Sequence, residues 1–156
     1  MEEVDVNIKT TLYMNAEFVD MIEKMADMTG KTRTELIILL MKRMMKHNSW
    51  LARAHQPVRY QVTLPQACWR RLHITVCSRD YEQCLDMRKF FKMSVSFLVA
   101  YAVEHYLDEL IELIMNGGKK DNYQYNYYFI IQKTDNCSVC WKVVWGMPDN
   151  PNDLLV

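Results

Sequence analysis

Glycine and proline are scarce, with four of each in 156 residues. Few loops are therefore expected. Long apolar runs are also missing. The longest, residues 36–41 and 97–103, fall far short of the roughly 20 residues that a membrane span requires. The first residues, MEEVDVNIKT, lack the basic region and apolar core of a secretory signal, so a cytoplasmic protein without a membrane partner is expected. The five cysteines are odd in number and irregularly spaced, which argues for reduced thiols rather than a disulfide framework. No glycine-rich phosphate loop and no nucleophile–base–acid arrangement is legible, so an enzyme is not expected and no cofactor is implied. Net charge is absent too. Nineteen basic residues balance nineteen acidic ones, which excludes a polycation that holds nucleic acid by bulk charge.

That neutral sum averages over unlike parts. Residues 1–54 carry eight charges of each sign, residues 55–99 seven basic against three acidic, and residues 100–156 four against eight. Half of the chain is hydrophobic, including twelve methionines, so a helical interior of adaptable side chains is expected.

Residues 6–14 alternate as a strand does, with Ile8, Thr10, Leu12 and Met14 on one face and Lys9, Thr11 and Tyr13 on the other. Asn15 stands where a helix cap belongs. Phe18, Met21, Ile22, Met25 and Met28 follow at helical spacing, and Gly30 stops that helix. Thr32 and Glu35 make a T-x-x-E capping box that opens a second helix through about Asn48, apolar almost all round over residues 36–41. The order then recurs. Residues 59–65 alternate, with Arg59, Gln61 and Thr63 on one face and Tyr60, Val62 and Leu64 on the other, and Pro65 suits the first turn of a helix whose buried stripe is Trp69, Leu72 and Val76. Ser94 caps a last helix ending at Asn116-Gly117-Gly118. The step from Met14 to Gly30 is sixteen residues, and that from Leu64 to Lys92 is twenty-eight, so repeat two is expected to carry twelve extra residues near 78–89. Beyond Gly118, residues 123–131 and 139–145 are dense in strand formers around a Thr134-Asp135-Asn136 turn, which reads as an aromatic β-hairpin followed by a mobile tail from residue 148.

The first repeat, with Gly30, Thr32, Arg33, Thr34, Glu35, Leu36 and Ile37 opening its second helix, resembles the ribbon–helix–helix DNA-binding family of the MetJ/Arc/CopG type. The match covers residues 6–46. Residues 58–110 match more loosely, keeping Leu64-Pro65 and the Ser94-x-Ser96 opening, with Lys92 in place of the glycine. Two units in one chain resemble the TraY-like arrangement. The fold implied is mostly α with short β: two ribbon–helix–helix units forming an intramolecular pseudo-dimer, plus the C-terminal hairpin. The divisions expected are a first unit over residues 1–54, a second with its helical insertion over 55–116, the hairpin over 117–147 and a tail over 148–156. The resemblance is physically apt, because some 45 residues cannot bury enough apolar surface alone.

By that resemblance the partner is double-stranded DNA, bound by a two-stranded ribbon in the major groove, and the function is transcriptional regulation. The base-reading residues would be Lys9, Thr11 and Tyr13 from one strand and Arg59, Gln61 and Thr63 from the other. Thr32, Thr34, Ser94 and Ser96 at the starts of the second helices would hold phosphates. Arg70, Arg71, Arg79, Arg88, Lys89 and Lys92 would extend that surface or serve as a solvated helix face. The main alternative is an antitoxin-like or other interaction module whose hairpin, rich in tyrosine with Trp141 and Trp145, binds a partner or a second copy. A metal- or ligand-sensing domain is a third class. It finds little support, since Cys137-x-x-Cys140 is a lone pair and His47, His55, His73 and His105 are scattered.

Overall fold

The computed structural model describes residues 6–48, 57–117, 127–133 and 139–145. It is mostly helical, with four α-helices, a two-stranded antiparallel sheet among them and a second strand pair near the C-terminus. Strand β1 (Asn7–Asn15) runs directly into helix α1 (Ala16–Thr29). The Asn15 side chain accepts a hydrogen bond from the Glu17 N–H at 3.0 Å, satisfying one of the unpaired donors of the first turn. Gly30 closes α1 in the left-handed conformation, at φ +68°. Helix α2 (Arg33–Asn48) opens on the expected box: the Glu35 N–H donates to Thr32 Oγ1 at 3.1 Å, and the Thr32 N–H donates to Glu35 Oε2 at 2.7 Å.

The second strand is not where the sequence pattern places it. Residues 59–65 form no strand apart from an isolated backbone bridge between Arg59 and Met93, and Pro65 precedes a short 3-10 turn, Gln66–Cys68, rather than an α-helix. Strand β2 is Trp69–Cys77, followed by helices α3 (Ser78–Phe91) and α4 (Val95–Met115). Trp69, Leu72 and Val76 are therefore strand residues and not a helical stripe. The physical reason is burial. A two-sided strand settles in the register that puts an apolar face on the core. Leu72, Ile74 and Val76 alternate and are all buried, whereas Tyr60 is 67 % and Val62 80 % exposed.

The twelve-residue insertion expected in the second repeat also disappears. Strand, helix, turn and helix recur at one constant offset of 62 residues: Asn7 to Trp69, Ala16 to Ser78, Gly30 to Lys92, Thr32 to Ser94. Residues 57–65 lead into the 3-10 turn, and residues 78–89 belong to α3, the counterpart of α1. Even the left-handed turn recurs, with Lys92 at φ +54° where the first repeat has glycine.

β1 and β2 pair antiparallel, with Lys9 opposite Thr75, Thr11 opposite His73 and Tyr13 opposite Arg71. Because the offset is 62, Thr11 faces its own counterpart, and the pairing is symmetric about that point. The inner face of the ribbon (Leu12, Met14, Leu72, Ile74, Val76) is buried. Beneath it α2 and α4 pack against each other, burying Leu36, Ile37, Leu40 and Met41 on one helix and Leu98, Val99, Ala102 and Val103 on the other. This accounts for the lack of a polar side over residues 36–41: five of the six are buried, and Leu39 is partly so. Each such side chain contributes about 1.5–3 kcal/mol relative to leaving it in water. On α1 the buried stripe is Val19, Ile22 and Ala26. Phe18, Met21 and Met25 are partly buried at its margin, and Met28 is exposed.

An Arg43–Glu109 ion pair joins α2 to α4, and Lys42 Nζ lies 3.5 Å from Asp80 Oδ1 on α3. Strand β3 (Tyr127–Lys133) pairs antiparallel with β4 (Val139–Trp145), Tyr127 opposite Trp145 and Lys133 opposite Val139. The aromatic packing and partner surface expected there, the cysteine side chains at 137 and 140, and the tail from residue 148 lie outside the described residues. Among the described residues, no helix is long and apolar enough to cross a membrane.

Candidate nucleic-acid interface

The outer face of the ribbon follows from the register. Every second residue, Asn7 to Asn15 on β1 and Trp69 to Cys77 on β2, points away from the core. Lys9, Thr11, Tyr13, Arg71, His73 and Thr75 on this face are all exposed, and the face carries no carboxylate. Among the described residues, neither Lys9 nor Arg71 is engaged in an ion pair.

The middle and one end of the face are internally ordered. Thr11 Oγ1 and His73 Nδ1 share a hydrogen bond at 2.9 Å. Toward the end, the Tyr13 and Trp69 rings stack with centroids 5.3 Å apart and planes 14° from parallel. The Trp69 indole N–H donates to the Leu64 carbonyl at 2.9 Å. Tyr13 is still 42 % exposed, so the stack is an aromatic plate on the outer surface, not a core contact. Arg70, on the inner side of the ribbon end, pairs with Asp20 and approaches Glu23 of α1. It is a structural cation.

Of the expected base-contacting residues, Lys9, Thr11 and Tyr13 stand on the outer face. Arg59, Gln61 and Thr63 do not, because their segment is not part of the ribbon. The Arg59 backbone pairs with Lys92 and Ser94, the Gln61 Nε2 donates to the Tyr13 carbonyl at 2.8 Å, and Thr63 is exposed. Their places are taken by Arg71, His73 and Thr75. A signal for these three exists in the sequence: across Arg71–Val76, polar and apolar residues alternate strictly, and Val76 to Lys92 repeats the sixteen-residue step from Met14 to Gly30.

The four expected phosphate-contacting residues lie at the two flanks of the ribbon. Ser94 caps α4, accepting from the Phe97 N–H at 3.2 Å, and Ser96 Oγ accepts from the Tyr13 N–H at 3.0 Å, which ties the start of α4 to the free edge of β1. On the other flank, Thr32, Thr34 and Glu35 share an open cleft of about 630 Å³ with Thr75 and Cys77, placing the start of α2 beside the free edge of β2. The starts of α4 and α2 thus lie one at each edge of the ribbon. The hydroxyls of Ser94 and Ser96 act as acceptors within the protein, which leaves each one a proton to donate.

Two carboxyls have defined electrostatics. Hydrogen bonds from the Thr32 backbone and hydroxyl hold Glu35 below the ordinary carboxylate value, helped by Lys31. A hydrogen bond from Arg43 lowers Glu109 in the same way. Burial, with Asp80 beside it, pushes the Cys84 thiol up to about 12, so it is a core group rather than a reactive one. Among the described residues, no three histidine, cysteine, aspartate or glutamate side chains gather as a metal site would require. Compared with known proteins, the chain matches no family model, no curated protein and no solved structure.

Proposed function

We propose that the chain is a sequence-specific double-stranded DNA-binding protein, a transcriptional regulator in which two ribbon–helix–helix units complete each other as an intramolecular pseudo-dimer. The single observation that carries this reading is the outer face of the β1–β2 ribbon. It is exposed, free of carboxylates, and furnished with Lys9, Thr11, Arg71, His73 and Thr75, while its opposite face seals the core. A two-stranded ribbon fits the major groove. There Lys9 and Arg71 suit guanine O6 and N7, and the threonines suit adaptable hydrogen bonds or a thymine methyl. The α2 and α4 N-termini at the flanks suit the adjoining phosphates. Since Lys9 has Arg71 as its counterpart and Tyr13 has Thr75, the two half-sites differ, and the preferred DNA is not a perfect palindrome.

The test is selection from a random duplex pool at low and moderate salt. A defined site should be enriched, with binding that weakens as salt rises. Lys9→Ala combined with Arg71→Ala should abolish preference for that site without altering thermal unfolding. Absence of enrichment and of salt-dependent binding would overturn the reading.

A further inference from the structure

The two flanks of the ribbon are equivalent by sequence offset but not by occupancy. Next to α2, the spot framed by Thr32, Thr34 and Thr75 is an open cleft among the described residues. Its counterpart next to α4, framed by Ser94, Ser96 and Tyr13, is covered by the segment 59–64. That segment is fastened at three points. The Arg59 N–H donates to the Lys92 carbonyl at 2.7 Å and the Ser94 N–H to the Arg59 carbonyl at 2.9 Å. The Gln61 amide donates to the Tyr13 carbonyl at 2.8 Å, and the Trp69 indole to the Leu64 carbonyl at 2.9 Å. Anchored so, the segment leaves Tyr60, Val62 and Thr63 outward, with Tyr60 67 % and Val62 80 % exposed. Large side chains at that exposure on a fastened segment have no role in the core.

Charge separates the flanks in the same sense. Lys31 lines the open cleft, and so do two carboxylates, Glu35 and the Lys42-paired Asp80. Their counterparts at the 62-residue offset are Phe97 and Phe18, so the covered flank lacks both carboxylates and adds Arg59 and Lys92. A polyanion alongside the ribbon therefore meets a more favourable charge on the α4 side than on the α2 side.

We infer that the segment 59–64 is a third DNA-contacting element, which lies against the sugar–phosphate backbone on the α4 flank only, with Tyr60 and Val62 touching sugars and Thr63 and the Arg59–Lys92 turn facing phosphates. This rests on the DNA-binding reading and deepens it, making the DNA footprint longer on one side of the ribbon's site than on the other.

The experiment is hydroxyl-radical footprinting of the full chain on a duplex selected from a random pool, with the double variant Tyr60→Ser, Val62→Ser beside it. Both residues are exposed, so the variant keeps its melting temperature. The wild type should protect additional backbone on one side only. The variant should lose that extension, bind about threefold to tenfold more weakly, and keep the base preference of the ribbon positions. Gln61→Ala, which releases the segment from Tyr13, should shorten the same side. A symmetric wild-type footprint, or a one-sided extension that survives both variants, overturns the inference while leaving DNA binding in place. Failure to bind any duplex at low salt overturns both.

Discussion

Thr11 and His73 hydrogen-bond across the centre of the ribbon, Oγ1 to Nδ1 at 2.9 Å, and each is the other's counterpart in the 62-residue repeat. The pair marks the point about which strand pairing is symmetric, yet the two side chains differ. Which partner donates decides what the imidazole offers outward. A hydroxyl donating to Nδ1 leaves the proton on Nε2, whereas a protonated Nδ1 leaves Nε2 as an acceptor in the neutral ring. Thr11→Val and His73→Ala remove this exposed contact and should each change unfolding free energy by less than about 0.5 kcal/mol. If the ribbon reads DNA, both should change the base preference at the centre of the selected site more than at its ends. Repeating the duplex selection with each variant measures this.

The position of the second strand makes a stability prediction. Leu72 is 1 % exposed and pairs with Leu12, itself buried, so Leu72→Ala should cost about 2–5 kcal/mol through lost burial and the cavity left behind. Val62→Ala should change stability by less than about 0.5 kcal/mol. Urea unfolding of the two variants checks both. The reverse order would place the strand at 59–65.

The left-handed turns at Gly30 and Lys92 should respond oppositely to substitution. A methyl group added to Gly30 would meet no atom within 4 Å, so Gly30→Ala should lose about 1 kcal/mol from backbone strain alone. Lys92 bears that strain in the native chain, at φ +54°, and Lys92→Gly should gain about 0.5–1 kcal/mol. Thermal unfolding of the pair reads both signs.

The helix caps separate by their pH dependence. Glu35 sits below its ordinary value of 4.5 because Thr32 donates to it. A carboxyl lowered in the folded state contributes stability that is complete above 4.5 and is lost as pH falls through the lower folded value. Thr32→Ala should therefore be most destabilising near neutrality, and the gap to the wild type should narrow in acid. Ser94→Ala, with Phe97 in place of the glutamate, should cost about 1 kcal/mol with no such narrowing. Unfolding curves from pH 7 to pH 3 compare the two.

Features governed by neighbours in the chain are legible from residue order alone. Asn15, Gly30, the Thr32–Glu35 box and the Ser94 cap all work through hydrogen bonds or dihedrals within a few residues, and each stands where the pattern places it. The first strand is legible because its alternation has one interpretation. The second is not. Residues 59–65 and 69–77 both alternate, and Trp69, Leu72 and Val76 also satisfy a helical spacing. Local pattern cannot choose between them.

Periodicity and capping thus establish where the first repeat's helices start and stop, an apolar α2 that requires neighbours on several sides, and Lys9, Thr11 and Tyr13 as a polar strand face. Which segment pairs with that strand is settled by packing at long range, because it depends on which apolar face the α2–α4 core can cover. Leu72, Ile74 and Val76 fit beneath the ribbon, and that contact puts Arg71, His73 and Thr75 outside. The same contact leaves residues 59–64 to fasten along one flank, where hydrogen bonds to Tyr13, Lys92 and Ser94 join residues distant in the chain.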